Sequence, residues 1–246
     1  MNTDTEVFSM KKWICLFLLF LLMSESSAFA QEKENFIMTA TVTKEESALL
    51  SLPASEGDVL LPLHKNDSVV ILALGTHYCR AETQQTEGYV ALDDITFDIL
   101  NGRPTQLARV NAAETNLLSG RATLREKADP KSAALIQIAR QGLMLLLGEE
   151  GKMYHAAVPG HIGYIRKENV LQDVTADDYR IAYLTNDDRV NQRLCMQFAD
   201  RFVIQQLEPG TPVQYIREYK GWGWVEYNGY KGYIMDKYLS FTPPEG

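Results

Sequence analysis

Two residues of this chain, His77 and Cys79, have types and a spacing that could support nucleophilic catalysis. They lie two apart in the segment His77-Tyr78-Cys79-Arg80, and side chains two apart on a strand share one face. A histidine beside a cysteine can take the thiol proton and so activate the sulfur as a nucleophile. A third, orienting group is not evident, so we favour the alternative of a strand residue beside a small buried thiol.

The other side chains that could bind a metal or transfer protons are not spaced as in any known metal-binding or catalytic motif. The four histidines match neither a zinc-helix spacing nor HExxH; they are His64, His77, His155 and His161. The pairs Asp177-Asp178 and Asp187-Asp188 do not fit a calcium loop, and solvated loop charge is the better interpretation. We therefore expect no catalytic residue, no metal site and no cofactor.

A dense group of aromatic residues near the end of the chain suggests recognition by ring stacking instead. Eight rings fall within 24 residues: Tyr215, Tyr219, Trp222, Trp224, Tyr227, Tyr230, Tyr233 and Tyr238. Aromatic rings with a polar tip are enriched at binding surfaces. If Val225 faces the core, its neighbour on the strand, Trp224, points the other way and is left partly exposed. The expected ligand-binding residues are Trp222, Trp224, Tyr219, Tyr227 and Tyr230; the alternative is that most of these rings pack the barrel or its neighbour.

The elements that must position these rings are the strands of a predicted β-hairpin. Asn228-Gly229 can take the positive φ angles of a two-residue turn, which is the strongest short-range hairpin signal. Gly232 then lets another backbone come close, or allows a bulge. Aromatic and β-branched residues on both sides of the turn favour strands.

The same unit occurs twice more upstream, which predicts an internal repeat. Each copy closes on Gly-Tyr and a β-branched residue: Gly88-Tyr89-Val90, Gly163-Tyr164-Ile165 and Gly232-Tyr233-Ile234. Every unit is ordered strand, polar loop, strand, turn, strand, turn, hairpin, and no long helical period is present. We align the first hairpin position as His77, Met153 and Trp222, and the position two further on as Cys79, His155 and Trp224.

Copies two and three carry motifs that resemble the bacterial Src-homology-3 (SH3b) domain family. Leu124-Arg125-Glu126 and Asp129-Pro130-Lys131-Ser132 are similar to its "leucine-arginine-x … proline-x-serine" opening. The family's ending is matched by Gly221-Trp222, Val225, Asn228-Gly229, Gly232-Tyr233-Ile234 and Tyr238-Leu239. In copies one and two, His77 and Met153 stand where the family has tryptophan. The resemblance implies small β-barrels in tandem, exported to the envelope, with copy three as the binding unit.

The beginning of the chain is typical of a secretory signal peptide. Its charged region is Lys11-Lys12, its apolar region is Trp13–Met23, and its cleavage site is Ala28-Phe29-Ala30. We place cleavage after Ala30. An uncleaved anchor is the alternative, but the run is shorter than the roughly 20 residues that span a bilayer. An exported chain could join Cys79 to Cys195. The two lie in different copies, however, and separately buried thiols are favoured.

These observations predict an all-β protein of three tandem small SH3-like β-barrels after a cleaved signal peptide. The expected bounds are 1–30 for the signal peptide and 36–100, 106–172 and 179–242 for the barrels. The copies leave no room for a hydrolase domain, and a formal net charge of -8 argues against nucleic acid. We expect a secreted, non-enzymatic envelope protein, without a membrane span after cleavage, that binds a peptidoglycan peptide or an envelope protein. The alternative is a structural or regulatory protein–protein interaction module that does not bind cell wall.

Overall fold

The computed structural model describes residues 36–111, 120–172, 174–185, 192–196 and 202–244. The predicted signal peptide and its cleavage site lie outside the described residues, and so does Asp187-Asp188. Within the described ranges, no helix is long or apolar enough to cross a lipid bilayer. The described residues belong to one unit, Phe36–Gly246.

The fold is all-β, as predicted, and is built from three antiparallel sheets of seven strands. The first sheet holds β1 (Thr39–Val42), β2 (Glu46–Leu50), β3 (Val59–His64), β4 (Ser68–Ala73), β5 (Tyr78–Thr83), β6 (Thr86–Ala91) and β7 (Ile95–Phe97). The second holds β8 (Leu107–Val110), β9 (Arg121–Arg125), β10 (Ala134–Ala139), β11 (Leu143–Glu150), β12 (Met153–Val158), β13 (His161–Arg166) and β14 (Val170–Leu171). The third holds β15 (Arg180–Leu184), β16 (Gln192–Cys195), β17 (Val203–Leu207), β18 (Pro212–Tyr219), β19 (Trp222–Tyr227), β20 (Tyr230–Met235) and β21 (Leu239–Ser240). Short 3₁₀ turns lie at Leu92–Asp94, Asp98–Leu100, Lys167–Asn169 and Asp236–Tyr238.

Strand order is the same in all three sheets, so the three units are copies of one topology. The first sheet runs β3-β2-β6-β5-β4-β1-β7, and the second and third repeat this order with their own strands. There are three buried apolar clusters: Phe97 lies in the first, Leu124 in the second and Val225 in the third. The first cluster extends from copy one into copy two, where it includes Leu143, Leu145, Leu147 and Ala157. The fold class therefore agrees with the sequence, while the exact domain bounds stay a prediction.

The closing hairpin of copy three has the predicted turn. Asn228 and Gly229 have φ angles of 47° and 79°, and the residues that flank them, Tyr227 and Tyr230, pair across β19 and β20. Positive φ at both central residues is the turn that Asn-Gly favours in a hairpin, because its twist matches that of the strands.

A close backbone approach explains the glycine before each repeated tyrosine. A Cβ added to Gly88, Gly163 or Gly232 would lie 2.8, 2.3 or 2.7 Å from a carbonyl oxygen of the neighbouring strand. These oxygens belong to Leu50, Arg125 and Cys195 respectively. The expectation that another backbone comes close to this glycine is confirmed in all three copies.

The hairpin register corrects our alignment of copy one by one residue. The directly opposed pairs are Arg80–Tyr89, His155–Tyr164 and Trp224–Tyr233. The equivalent of Trp224 in copy one is therefore Arg80, not Cys79. The equivalent of Trp222, at the start of the strand, is Tyr78, not His77. The error lies in the length of the hairpin turn. Thr83 and Thr86 flank a two-residue turn at Gln84-Gln85, as Tyr227 and Tyr230 flank Asn228-Gly229, so β5 begins one residue later than our alignment placed it.

Candidate functional site

Three of the five predicted binding residues lie together on one face of the third sheet. Trp222 stands opposite Tyr219 on β18, and the residue two further along β19, Trp224, stands opposite Tyr233 on β20. Opposed residues and residues two apart point to the same side of an antiparallel sheet. We call Tyr219, Trp222, Trp224 and Tyr233 the aromatic face.

Both tryptophans of the aromatic face are held partly exposed. Val225 is fully buried in the third core, which turns Trp224 outwards, as the alternation of a strand requires. The rings of Trp224 and Tyr233 lie 4.5 Å apart between centroids, within the range of favourable aromatic pairs. Tyr219 is 42% exposed at the outer end of the face. The sheet thus holds the two indole rings in fixed positions without covering them.

The other two predicted residues, Tyr227 and Tyr230, lie on packed surfaces instead. Both pack against the third core, and Tyr230 also packs against the second. A Cβ added to Gly142 would lie 2.6 Å from the Tyr230 ring, so the ring sits directly on the backbone of copy two. Burial also raises the pKa of Tyr230. Packing against a neighbouring copy, the alternative that the sequence left open, applies to Tyr230.

The inner end of the same hairpin places a buried charge between all three copies. Glu226 is 4% exposed and follows Trp224 by two residues on β19. The Nη2 atom of Arg109, in copy two, donates a hydrogen bond to Glu226 Oε2 at 2.5 Å. The backbone N–H and the hydroxyl of Thr76 in copy one donate to its Oε1 at 3.2 and 3.3 Å. We call this meeting point of the three copies the joint.

The joint also binds the buried guanidinium of Arg109, which is 2% exposed, through its two terminal nitrogens, while its Nε has no hydrogen-bond partner among the described residues. Nη1 of this arginine donates to the carbonyl oxygens of Gln141 and Gly229, at 2.6 and 3.1 Å. Burial lowers the pKa of Arg109, while the carboxylate of Glu226 acts in the opposite direction. A second ion pair joins Lys231 to Asp177, with the Lys231 Nζ 3.9 Å from Glu226 Oε2. The charges of the joint are therefore paired within the protein.

A cleft opens beside the joint, between copies one and three. Its enclosed volume is about 20 Å³, room for little more than one water molecule. Its walls include Tyr78, Arg80 and Tyr89 of copy one and Glu226, Tyr227 and Asn228 of copy three; we call it the joint cleft. Burial raises the pKa of Tyr78, and raises that of Tyr89 to about 12, so both hydroxyls are protonated at neutral pH and can donate.

Sequence reasoning did not find the joint cleft, because its two walls come from copies far apart in the chain. Within copy one, the repeated Gly-Tyr motif marks Tyr89. No local pattern indicates that the Asn228-Gly229 turn lies against Leu74, whose carbonyl oxygen is 2.5 Å from a Cβ built on Gly229. The turn has a packing role that its own sequence does not show.

The His77 and Cys79 pair does not form a nucleophilic site. Cys79 is fully buried, and burial raises the pKa of its thiol to about 12. His77 precedes β5, and its Nε2 lies 2.9 Å from the carbonyl oxygen of Asp177. The thiol is thus protonated at neutral pH. Within the part of the chain that the structure describes, no three His, Cys, Asp or Glu side chains are grouped to hold a metal ion.

Comparison with known proteins finds no matching family model. No curated protein matches either. Among solved structures, NlpC2 from Trichomonas vaginalis aligns with a TM-score of 0.25 and 16% identity, over 56% of this chain and 48% of that chain. NlpC1 from the same organism aligns with a TM-score of 0.25 and 9% identity, over 86% of this chain and 96% of that one. A protein described as an autolysin, from Listeria monocytogenes, aligns with a TM-score of 0.20 and 13% identity, over 83% and 96%. This chain spans about half the length of NlpC2, and similarity at these scores does not bear on function.

Proposed function

We propose that this chain is a secreted, non-catalytic binding protein of the bacterial envelope. The aromatic face of copy three recognises a peptidoglycan peptide. The observation that carries this proposal is the pair Trp222 and Trp224, both partly exposed on a sheet whose opposite side is core. The envelope location rests on the predicted leader and on the resemblance to the SH3b family.

The chemistry of the aromatic face suits a short peptide. Rigid aromatic rings give large contact area at low cost in conformational entropy, and such anchors dominate many interfaces. Arg217 is exposed and stands directly opposite Trp224 across β18 and β19. A guanidinium beside the rings can pair with a carboxylate of a stem peptide. The third sheet therefore offers stacking surface and a positive charge on one side.

The proposal can be tested by retention of the chain from Gln31 to Gly246 on purified peptidoglycan. Two wall preparations are compared, one intact and one from which an amidase has removed the stem peptides. We expect retention on the intact wall and loss of retention on the peptide-free wall. Passage through both preparations would contradict the proposal and support the protein–protein interaction module instead. Equal retention on both would contradict peptide recognition.

A further inference from the structure

The chain contains two Asn-Gly pairs, Asn101-Gly102 and Asn228-Gly229, and the structure holds them very differently. An asparagine before a glycine is chemically labile, because the amide nitrogen of the glycine can attack the carboxamide carbon of the asparagine side chain. Glycine has no Cβ to obstruct this approach, and it allows the backbone rotation that the attack requires. Asparagine is accordingly counted among the thermolabile residues of proteins.

The first pair, Asn101-Gly102, lies in the connection between copies one and two. It follows the 3₁₀ turn Asp98–Leu100 and precedes β8, and both of its residues are exposed. Nothing lies within 4 Å of a Cβ built on Gly102. Among the described residues, no acceptor binds the N–H of Gly102, which is the group that has to attack.

The backbone around the first pair can rotate at little cost. The N–H groups of Asn101 and Arg103 each donate to the preceding 3₁₀ turn at 3.0 Å, and these two bonds close a single turn at the surface. Exposed turns of this kind open locally with a free energy close to zero. The attack geometry is therefore accessible while the three copies stay folded.

The second pair, Asn228-Gly229, is fixed by the packing of the copies. The residues that flank it, Tyr227 and Tyr230, are paired across β19 and β20. The carbonyl oxygen of Gly229 accepts hydrogen bonds from the N–H of Leu143 at 2.9 Å and from Nη1 of Arg109 at 3.1 Å. The side-chain oxygen of Asn228 is buried. Rotation here would separate copy three from copy two, so it costs a large share of the free energy of unfolding.

We propose that Asn101 is a site of spontaneous deamidation in the folded protein, and that the packing of the copies protects Asn228 from the same reaction. The nitrogen of Gly102 forms a bond to Cγ of Asn101 and loses its proton, and the side-chain nitrogen leaves as ammonia. Water then opens the succinimide ring at one of its two carbonyl carbons. One opening yields aspartate, and the other yields isoaspartate, whose main chain is one carbon longer. This modification goes beyond the proposed peptide recognition and does not depend on the aromatic face.

Either product changes the segment that connects copies one and two. It places a carboxylate two residues from Arg103, whose Nη1 donates to the carbonyl oxygen of Leu147 at 2.7 Å and whose Nε donates to that of Leu100 at 3.1 Å. A carboxylate at position 101 competes with these carbonyl oxygens for the guanidinium, because opposite charges attract. Isoaspartate also lengthens the main chain of the connection.

Incubation of the chain from Gln31 to Gly246 at mildly alkaline pH, followed by peptide mapping with mass spectrometry, tests the site. We expect aspartate and isoaspartate to form at position 101 at least about tenfold faster than at position 228, because only the second pair has to unfold first. In urea the packing is lost, and both positions should react at similar rates.

Two matched variants assign the acidic form of the protein on isoelectric focusing. Asn101→Gln should form it much more slowly than the unmodified chain. Asn228→Gly keeps the positive-φ turn and should form it at the unmodified rate. Equal rates at positions 101 and 228 in the folded chain would overturn the inference, as would a faster reaction at position 228. An unreacted Asn101 in the folded chain, under conditions in which the unfolded chain deamidates, would overturn it as well.

Discussion

The carboxylate of Glu226 accepts a hydrogen bond from the guanidinium of Arg109 across 117 positions of sequence. Both side chains are almost fully buried, and the other oxygen of Glu226 binds Thr76 of copy one. One carboxylate thus connects all three copies. Charged groups in such a place are costly to bury and are tolerated only when fully paired. The relative positions of the three copies therefore depend on the ion pair between Glu226 and Arg109.

Glu226→Gln should strongly destabilise the protein, because it leaves the guanidinium of Arg109 buried without its charge partner. Removal of one partner of a buried ion pair typically costs about 3–5 kcal/mol. Urea denaturation followed by tryptophan fluorescence measures this change in the free energy of unfolding. Glu82→Gln, at an exposed position, is the matched control and should be nearly neutral.

The double variant Arg109→Met with Glu226→Leu distinguishes pairing from packing. It removes both charges, so it should be more stable than Glu226→Gln alone. If Glu226→Gln unfolds at the same urea concentration as the unmodified chain, the ion pair does not hold the joint.

Gly232→Val should destabilise copy three through steric conflict. A Cβ at this position would lie 2.7 Å from the carbonyl oxygen of Cys195, closer than real Cβ atoms approach. Either β16 or β20 has to move, and we expect a loss of about 1–3 kcal/mol, as for other strained substitutions. Gly163→Ala, where the equivalent distance is 2.3 Å, should destabilise copy two in the same way. An unchanged melting curve for both variants would show that the strands separate freely.

The buried thiol of Cys79 should make stability depend on alkaline pH. Its pKa rises from 9.0 to about 12 on folding, chiefly through burial. The folded state therefore keeps the proton while the unfolded state loses it, and this contribution is full below pH 9 and is lost as the pH rises towards 12. One pH unit above 9 corresponds to about 1 kcal/mol.

Cys79→Ala isolates this contribution from that of the tyrosines, since the tyrosines titrate in both proteins. The difference in unfolding free energy between the unmodified chain and Cys79→Ala should be about 1 kcal/mol smaller at pH 10 than at pH 8. A constant difference across this range would mean that the folded thiol titrates normally.

Features that depend only on residues close together in the chain were predicted correctly from the sequence. The Asn228-Gly229 turn and the close approach at Gly232 follow from the conformations that these residue types allow, and both are present. The joint could not be predicted, because the partners of Glu226 are its neighbours only after the copies pack. For the same reason Tyr230, which resembles an exposed aromatic in sequence, packs against copy two.

Trp224→Ala is the variant that tests the aromatic face directly. Its indole is partly exposed and points away from the third core, so truncation should leave the fold largely intact. Stacking anchors of this kind typically lose more than about 1 kcal/mol of binding free energy on truncation, so retention on intact peptidoglycan should fall at least fivefold. Circular dichroism and urea denaturation check the fold of each variant. Tyr230→Ala is the contrasting variant, since its ring packs between copies two and three, and it should lower stability. If Trp224→Ala unfolds copy three, the indole is part of the core. If it folds and is retained like the unmodified chain, the wall is bound through another surface, and the proposed role of the aromatic face is wrong.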